Sequence, residues 1–329
     1  MSRERRRPYR FELFALGMAG GVALVLLAAG LPFATATAGG ARRVAILALT
    51  LFGVGAVVGV GLQCAGRALV RRPVAPYLEA LRGPGWWWLW GRLWLACMLG
   101  SSAYFWLKVY VPRLHPGTLD ASLWSLDRAF HLGVSPTHLT IEHLPRGLVG
   151  GVLDPWYGLW LLTLFAGIAF FAASERADVR RGAMLSFLAL WTLGAVGYVL
   201  LPVVGPVFAF PGPFRDLPAD MPIAAATQQL LWDHYRGVAD GGPVRDYTRG
   251  VGALPSLHVG FHVLFALWAR RVAPRLAPLL WVAVLLTGVG SVRSGWHYAV
   301  DAYAGAACAW LAFRLGLALE GVRGEPGER

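Results

Sequence analysis

Charged side chains are scarce in this chain of 329 residues: they make up 15% of it, against 57% hydrophobic residues. Acidic residues are the scarcer sign, 18 against 30 lysines and arginines, for a net charge of +12. A soluble protein this basic would suggest a nucleic-acid partner. Here the arginines lie between apolar runs, so we assign them to membrane topology and expect no nucleic acid. The three cysteines, Cys64, Cys97 and Cys308, lie in apolar segments without paired spacing, and we expect them to be small core residues.

The apolar runs are about as long as the hydrocarbon core of a bilayer requires, roughly 20 residues each. They predict an all-α, polytopic integral membrane protein with eight spans, at residues 12–35, 44–66, 87–111, 150–173, 183–203, 255–270, 276–292 and 296–316. Two N-terminal helices, within residues 1–84, would precede a six-helix core within 85–329. Ala34–Ala36 resembles a signal-peptide cleavage site, but the run before it is long, so we expect a retained helix.

The placement of arginine predicts the orientation. With both termini in the cytoplasm, the arginines of every short loop fall on the inner side, together with those near the chain ends: Arg3, Arg5, Arg6, Arg323 and Arg329. The long loops 112–149 and 204–254 then lie outside. We expect an integral plasma-membrane protein whose candidate site faces the extracytoplasmic side.

One candidate motif is Leu254-Pro255-Ser256-Leu257-His258, at the start of an apolar run. Pro255 suits the first turn of a helix, where its missing N–H is not needed. The outward N-terminus of that helix presents free N–H groups to an anion. Ser256 adds a hydroxyl and His258 lies within the first turn, so the motif favours a phosphate group. An ordinary proline-started helix with one interfacial histidine remains the alternative.

The second motif is Gly295-Trp296-His297-Tyr298-Ala299-Val300-Asp301. A helix would stack His297 and Asp301, four residues apart, on one face. A carboxylate within an apolar span costs roughly 2.5–3.5 kcal/mol, which argues for a partner such as His297. The pair would fix the tautomer of the imidazole and leave its other nitrogen as a base or nucleophile. A purely structural pair is the alternative.

The two motifs predict one site, because 39 residues between His258 and His297 suit one helix entering the membrane and another returning. Arg293, four residues before His297, could bind an anion on the same rim. The second outer loop delivers Arg245 and Arg249 close to His258. A metal shell including His262 can also be drawn, but no HExxH-type signature accompanies it, so we expect neither metal nor cofactor.

Together the motifs resemble the type 2 phosphatidic acid phosphatase (PAP2) superfamily, and more narrowly its inositolphosphotransferase-like branch, which includes inositol phosphorylceramide synthases. The resemblance implies a six-helix core and metal-independent cleavage of a phosphoester through a phosphohistidine. It implies that His297 is the nucleophile, oriented by Asp301. It also makes His258 the general acid for the leaving group and lets Ser256 help to cradle the phosphate.

The chain departs from the superfamily pattern at two points. The first motif, a lysine followed by Arg-Pro, should appear near the end of span five, where Tyr198–Pro206 holds no basic residue. The third motif usually begins Ser-Arg, with the arginine six residues before its histidine; here that position is Ser291 and the arginine is Arg293. Arg293, Arg249 and Arg245, in that order, are therefore the candidates for binding phosphate. The missing first motif is also why the inositolphosphotransferase-like branch is favoured.

The expected function is a membrane-embedded lipid phosphatase or head-group phosphotransferase acting at the outer leaflet on a lipid phosphate. Two alternatives remain. A polyprenyl-phosphate-dependent glycosyltransferase would need an acidic base in its first outer loop, where Asp120 and Asp127 are available. A non-catalytic lipid or solute carrier would use the His–Asp pair as a proton relay.

Overall fold

The computed structural model describes residues 7–33 and 38–322, and within those ranges all regular secondary structure is helical. The prediction of an all-α protein is confirmed. Several parts of the sequence interpretation lie outside the described residues, namely Ala34–Ala36, Arg3, Arg5, Arg6, Arg323 and Arg329.

The longer helices, labelled in chain order, are α1 (Arg10–Ala28), α2 (Ala38–Leu69), α3 (Pro84–Val109), α4 (Asp120–Phe130), α5 (Pro136–His143), α6 (Trp160–Ala172), α7 (Ala177–Leu200), α8 (Pro222–Ala239), α9 (Leu257–Val272), α10 (Ala277–Arg293) and α11 (Ala299–Glu320). Short α-helical pieces are Ala75–Ala80, Val111–Leu114, Arg146–Leu148, Asp154–Gly158, Pro206–Ala209 and Leu217–Asp220. A π-helical turn covers Val149–Leu153, and 3₁₀ turns cover Gly212–Phe214 and Pro274–Leu276.

Several of these helices are long and apolar enough to fit a membrane protein. In the described residues there are five such stretches: Arg10–Ala28, Phe52–Leu69, Ala177–Leu200, Pro274–Arg293 and Ala299–Glu320. A sixth arises if Arg146–Gly158 and α6, which meet at 50°, form one broken span. The predicted count of eight is not confirmed. Helix α9 has 16 residues, fewer than the roughly 20 that a full span needs, and α3 mixes tryptophans and Arg92 with its aliphatic residues.

Helix α7 lies at the centre of the bundle, where it contacts α1, α3, α6, α9 and α11. Its side chains are buried on nearly all sides, with Leu185, Leu188 and Leu190 fully enclosed. The N-terminal helices pack onto the remainder of the chain, α1 against α3 and α7, and α2 against α6. The division at residue 84 stays a prediction.

Glycines let α9 and α11 cross closely. A Cβ on Gly260 of α9 would lie 3.1 Å from the carbonyl oxygen of Gly305 in α11. A Cβ on Gly305 would in turn collide with the carbonyl oxygen of Ser256. This crossing places the start of α9 beside the start of α11, and the two motifs stand at those helix starts.

The long loops contain helices of their own. The loop 112–149 contains α4, which contacts α11. The loop 204–254 contains α8. Between α10 and α11 the chain turns through Gly295, whose φ of 75° suits a residue without a side chain. Arg293 and His297 therefore do not share a helix.

Candidate active site

His258 and His297 meet directly. His258 is the second residue of α9, and His297 lies two residues before α11. Nδ1 of His258 lies 2.9 Å from Nε2 of His297. The His297 ring is 1% exposed, so the protein encloses it almost completely.

Ser256, rather than Pro255, forms the boundary of α9. The helix begins at Leu257 and Ser256 is its N-cap, with the hydroxyl accepting from the N–H of Val259 at 3.4 Å. The expectation that Pro255 occupies the first turn is wrong, because the serine hydroxyl satisfies a free N–H at that end. Ser256 is fully buried, and its own N–H donates to the carbonyl of Asp301 at 2.9 Å. It ties the two motifs together and is not part of the cavity lining.

Asp301 stands behind His297, although α11 begins only at Ala299 and the two residues are not on one continuous helix. Oδ2 of Asp301 accepts from the N–H of Tyr298 at 2.9 Å and lies 3.4 Å from Nδ1 of His297. Within the described residues, Nδ1 of His297 and Oδ1 of Asp301 are buried without a hydrogen bond. The carboxylate is thus placed to stabilise a positive charge on the imidazole.

Carboxylates of α4 hold the start of α11. Asp127 accepts from the N–H of Val300 at 2.9 Å, and burial raises its pKa. Asp120 accepts from the Tyr298 hydroxyl at 2.9 Å and from the N–H groups of Val204 and Gly205, both at 3.0 Å. Both aspartates are about 2% exposed. They join α4 to the second motif and to the segment after α7, and neither is available as a base in an open site.

A cavity of about 290 Å³ opens onto the two histidines. It is mostly aromatic on one side, through Tyr104, Phe105, Tyr157, Trp160, Tyr198 and Trp296. Two cationic side chains, Lys108 and Arg249, also line it. An apolar and aromatic wall with a few convergent polar groups is typical of a small-molecule site, and two cations beside two histidines suit an anion.

Lys108 is the functional candidate that the sequence interpretation missed. It lies near the end of α3, with its ammonium 5.2 Å from the Tyr198 ring centre and 5.7 Å from that of Tyr104. Cation–π contacts of this kind hold an ammonium without neutralising it. In the part of the chain that the structure describes, this ammonium has no carboxylate partner. One signal was present in the sequence: Lys108 is the single lysine among 30 basic residues.

The three arginines predicted to bind phosphate lie in different surroundings. Arg249 lines the histidine cavity and pairs with Asp246 at 2.9 Å. Arg245 lines a neighbouring cavity of about 370 Å³ that shares Arg249 with the first. Arg293 does not line the histidine cavity; it is 4% exposed and bonds to Asp220 at 2.6 Å. The turn at Gly295 removes Arg293 from the rim on which helical spacing would have placed it.

His262, the additional ligand of the metal alternative, faces other partners. Its Nδ1 donates to the carbonyl of His258 at 2.8 Å, and its Nε2 lies 3.2 Å from the Thr163 hydroxyl. Across residues 7–33 and 38–322, no three or more histidine, cysteine or acidic side chains are grouped to hold a metal ion. The arrangement provides two imidazoles, one carboxylate and two cations, which together can perform nucleophilic and acid–base chemistry on an anion.

Comparison with known families matches residues 121–315 to the PAP2 superfamily. That range includes both histidine motifs and begins after Lys108. No curated protein and no solved structure matches the chain.

Proposed function

The chain belongs to the PAP2 superfamily, and on that premise we propose that it cleaves a lipid-linked phosphoester at the outer leaflet through a phosphohistidine. The observation that carries the proposal is the 2.9 Å approach of His258 to His297 in a cavity that Lys108 and Arg249 also line. The partners of the proposed enzyme are a lipid phosphate and the bilayer, and its reaction requires neither metal nor cofactor.

The reaction begins with attack by Nε2 of His297 on phosphorus, which breaks the bond from phosphorus to the leaving-group oxygen. His258, an imidazolium once the anionic phosphate is bound, transfers one proton to that oxygen and becomes neutral, and Asp301 stabilises the charge that His297 acquires. Water or an acceptor hydroxyl then attacks phosphorus, gives its proton to His258 and releases His297. Hydrolysis and head-group transfer share this intermediate, so the acceptor alone distinguishes a phosphatase from a phosphotransferase.

Before substrate binds, the nucleophilic nitrogen of His297 is occupied by a hydrogen bond from His258. The Asp301 carboxylate lies 3.4 Å from Nδ1 of His297 and therefore favours the tautomer in which the proton of His297 is on Nδ1. Nε2 then accepts from Nδ1–H of His258. A substrate phosphate must displace this hydrogen bond before attack, so binding separates the two rings and leaves Nδ1–H of His258 free to donate a hydrogen bond to the phosphate.

Lys108 and Arg249 replace the basic residues of the absent first motif. Both line the cavity of the two histidines, whereas Arg293 is committed to Asp220 and Arg245 to the neighbouring cavity. Because Lys108 has aromatic faces instead of a carboxylate beside it, a phosphate can become its counter-ion. We assign Ser256 to holding the helix start from which His258 projects.

The absence of the first motif also supports the inositolphosphotransferase-like branch of the superfamily, and thus transfer of a head group. Diacylglycerol, sphingoid and polyprenol lipids all share the phosphoester that this chemistry cleaves. The arginine bias of the short loops supports a plasma-membrane protein with cytoplasmic termini and an outward-facing site.

The alternatives receive less support. Asp120 and Asp127, the acids available to a polyprenyl-phosphate-dependent glycosyltransferase, are engaged by backbone N–H groups and by Tyr298. The cavity gives less support to a carrier that relays protons through its His–Asp pair. A second histidine and a lysine lie beside that pair, and this combination suits phosphate chemistry instead.

The test is phosphate release or head-group transfer by the purified protein from diacylglycerol, sphingoid and polyprenyl phosphoesters, with and without EDTA. We expect turnover of at least one class, unchanged by EDTA and abolished in His297→Ala. Turnover that stops in EDTA and returns with zinc would contradict the metal-independent mechanism. The appearance of a glycosylated product without phosphate chemistry would support the glycosyltransferase.

A further inference from the structure

The cavity of the two histidines reaches the surface of the bundle at apolar side chains. Leu161 of α6 and Ile223 of α8 both line it, although they are 58% and 45% exposed. A side chain that lines a cavity and is also exposed stands where the cavity opens. Thr227 and Thr248, which are polar and exposed, line it as well. The mouth of the cavity is thus partly hydrocarbon and partly polar.

The mouth lies at a bend in the chain. Helix α8 packs against the short helix Asp154–Gly158, and a Cβ on Gly158 would lie 2.8 Å from Cγ2 of Ile223. The two helices are therefore in close contact at Gly158. Directly afterwards α6 departs at 50° from the segment Arg146–Gly158. The cavity opens beyond this bend, between Leu161 on α6 and Ile223 on α8.

The path from the histidines to the mouth is short. The ring centre of Trp160 lies 4.3 Å from that of His258, and Leu161 is the next residue along α6. Before the bend, Tyr157 packs on the same histidine with 5.0 Å between the ring centres. A phosphate held by His258 and His297 is therefore joined to the exterior by an aromatic and aliphatic wall.

The surface outside the mouth is apolar too. Leu159 and Leu162, which flank Trp160 and Leu161 in the chain, are 47% and 58% exposed. No residue of α6 is charged, and with the segment before it α6 is long and apolar enough for a broken span. The ring of Trp160, at the start of α6, suits the interface between lipid and water. Exposed aliphatic side chains in this setting are suited to contact with hydrocarbon.

The cavity itself is too small for a whole membrane lipid. Its volume of about 290 Å³ lies at the low end for a drug-sized ligand, roughly 300–1,000 Å³. A head group fits this space, whereas long chains must leave it. Hydrocarbon that passes into the bilayer also avoids contact with water.

We propose that the tail of the substrate lipid leaves the cavity between α6 and α8, and that Leu161 and Ile223 determine which tails the enzyme accepts. This inference rests on the proposed function, because it takes the head group to be a phosphate at His297. The hydrocarbon part of the mouth holds the tail. The polar part, at Thr227 and Thr248, remains open to water or an acceptor.

The test compares long-chain and short-chain substrates with the purified full-length protein. Leu161→Trp should lower the ratio of kcat/KM for dioleoyl over dihexanoyl phosphatidic acid about tenfold or more, because the indole fills the mouth through which the longer chains pass. The matched control is Leu162→Trp, at the next residue of α6, with the same exposure and outside the cavity lining. It should change the ratio less than about twofold, as is usual for a surface substitution.

An equal ratio in Leu161→Trp and the wild type, or the same fall in both tryptophan variants, would overturn the proposal. If the wild type turned over neither substrate, the proposed function would fail for phosphatidic acid. The path of the tail would then be decided by photolabelling with a phosphatidic acid that carries a diazirine in its acyl chain. We expect label on residues 159–162 and 223–231, reduced in Leu161→Trp and retained in Leu162→Trp. Equal labelling of the two variants would overturn the proposal by itself.

Discussion

His258 and His297 have different surroundings, and this difference assigns their roles. His297 is backed by Asp301 at 3.4 Å, whereas His258 is packed against Tyr157 and Trp160 and has no carboxylate partner among the described residues. The Asp301 carboxylate stabilises the positive charge that His297 acquires in the attack, while the aromatic surroundings of His258 supply no such counter-charge. His258 is therefore suited to give up a proton once a phosphate is bound.

This assignment predicts how each histidine variant depends on the leaving group. His258→Ala should slow turnover of a lipid phosphoester by about 10²–10⁴-fold, the usual contribution of general acid catalysis. An aryl phosphate, whose leaving group needs little protonation, should lose much less. Steady-state rates for both substrates in the same preparation make the comparison. Equal losses for the two substrates would show that His258 is not the acid.

The lysine of the cavity should bind the phosphate. Lys108→Met removes a charged donor worth about 1.5–3 kcal/mol, so kcat/KM should fall about 10- to 100-fold, and Lys108→Arg should recover part of the loss. The control is Arg236→Gln on α8, an exposed arginine paired with Asp233, for which no change is expected. An unchanged kcat/KM in Lys108→Met would remove Lys108 from the site.

Arg293 should instead support folding. Arg293→Met leaves Asp220 buried without its closest partner, and breaking such a pair costs about 3–5 kcal/mol. The thermal unfolding midpoint should fall, and Asp220→Asn in the same chain should restore much of it. KM for substrate should stay near that of the wild type. A raised KM at an unchanged midpoint would return Arg293 to the phosphate site.

The sequence predicts the histidine motifs well because their recognition depends on residue types at close spacing. It fails for Arg293 because helical spacing was extended across Gly295, where the chain turns. It fails for Lys108 because the cavity brings the end of α3 together with two histidines that lie about half the chain away in sequence. Local patterns carry no information on such contacts, although the rarity of lysine was a usable sign.

Among the elements, the loop that follows α8 and carries Arg249 depends on His234 of α8. Nδ1 of His234 donates to the carbonyl of Arg249 at 3.1 Å, and Nε2 accepts from the N–H of Asp246 at 3.3 Å. Burial lowers the pKa of His234 below its ordinary value, so the ring is neutral at neutral pH. The loop that carries Arg249 is thus attached to α8 by an uncharged imidazole.

Acid should loosen this loop. As pH falls below about 6.5, the unfolded segment binds a proton before the folded one does, so the stability contributed by His234 declines toward its lower folded pKa. Protonation also removes the acceptor at Nε2. Hydrogen–deuterium exchange of residues 240–250, corrected for intrinsic rates, should increase from pH 7.5 to pH 5 in the wild type and be nearly independent of pH in His234→Gln. The same increase in both proteins would exclude His234 as the cause.

For the whole molecule, the helical class follows from composition, but the eight-span count does not, because α9 is too short and α3 too rich in tryptophan to match a simple apolar run. The orientation of the chain in the membrane can be tested without knowing the number of spans. Ala239→Cys, in the second outer loop, and Ala273→Cys, between α9 and α10, are introduced with Cys64, Cys97 and Cys308 replaced by alanine. A membrane-impermeant thiol reagent should label only the first in intact cells. Labelling of the second alone would reverse the orientation.

In the proposed reaction the phosphoryl group is bonded to His297 before it reaches water or an acceptor. A lipid substrate labelled with ³²P in its phosphate, mixed with enzyme and quenched in alkali within the first turnovers, tests this most directly. We expect an acid-labile, alkali-stable label on the peptide that contains His297, absent in His297→Ala and retained in His258→Ala. A label that persists in His297→Ala, or that maps to His258, would contradict the account.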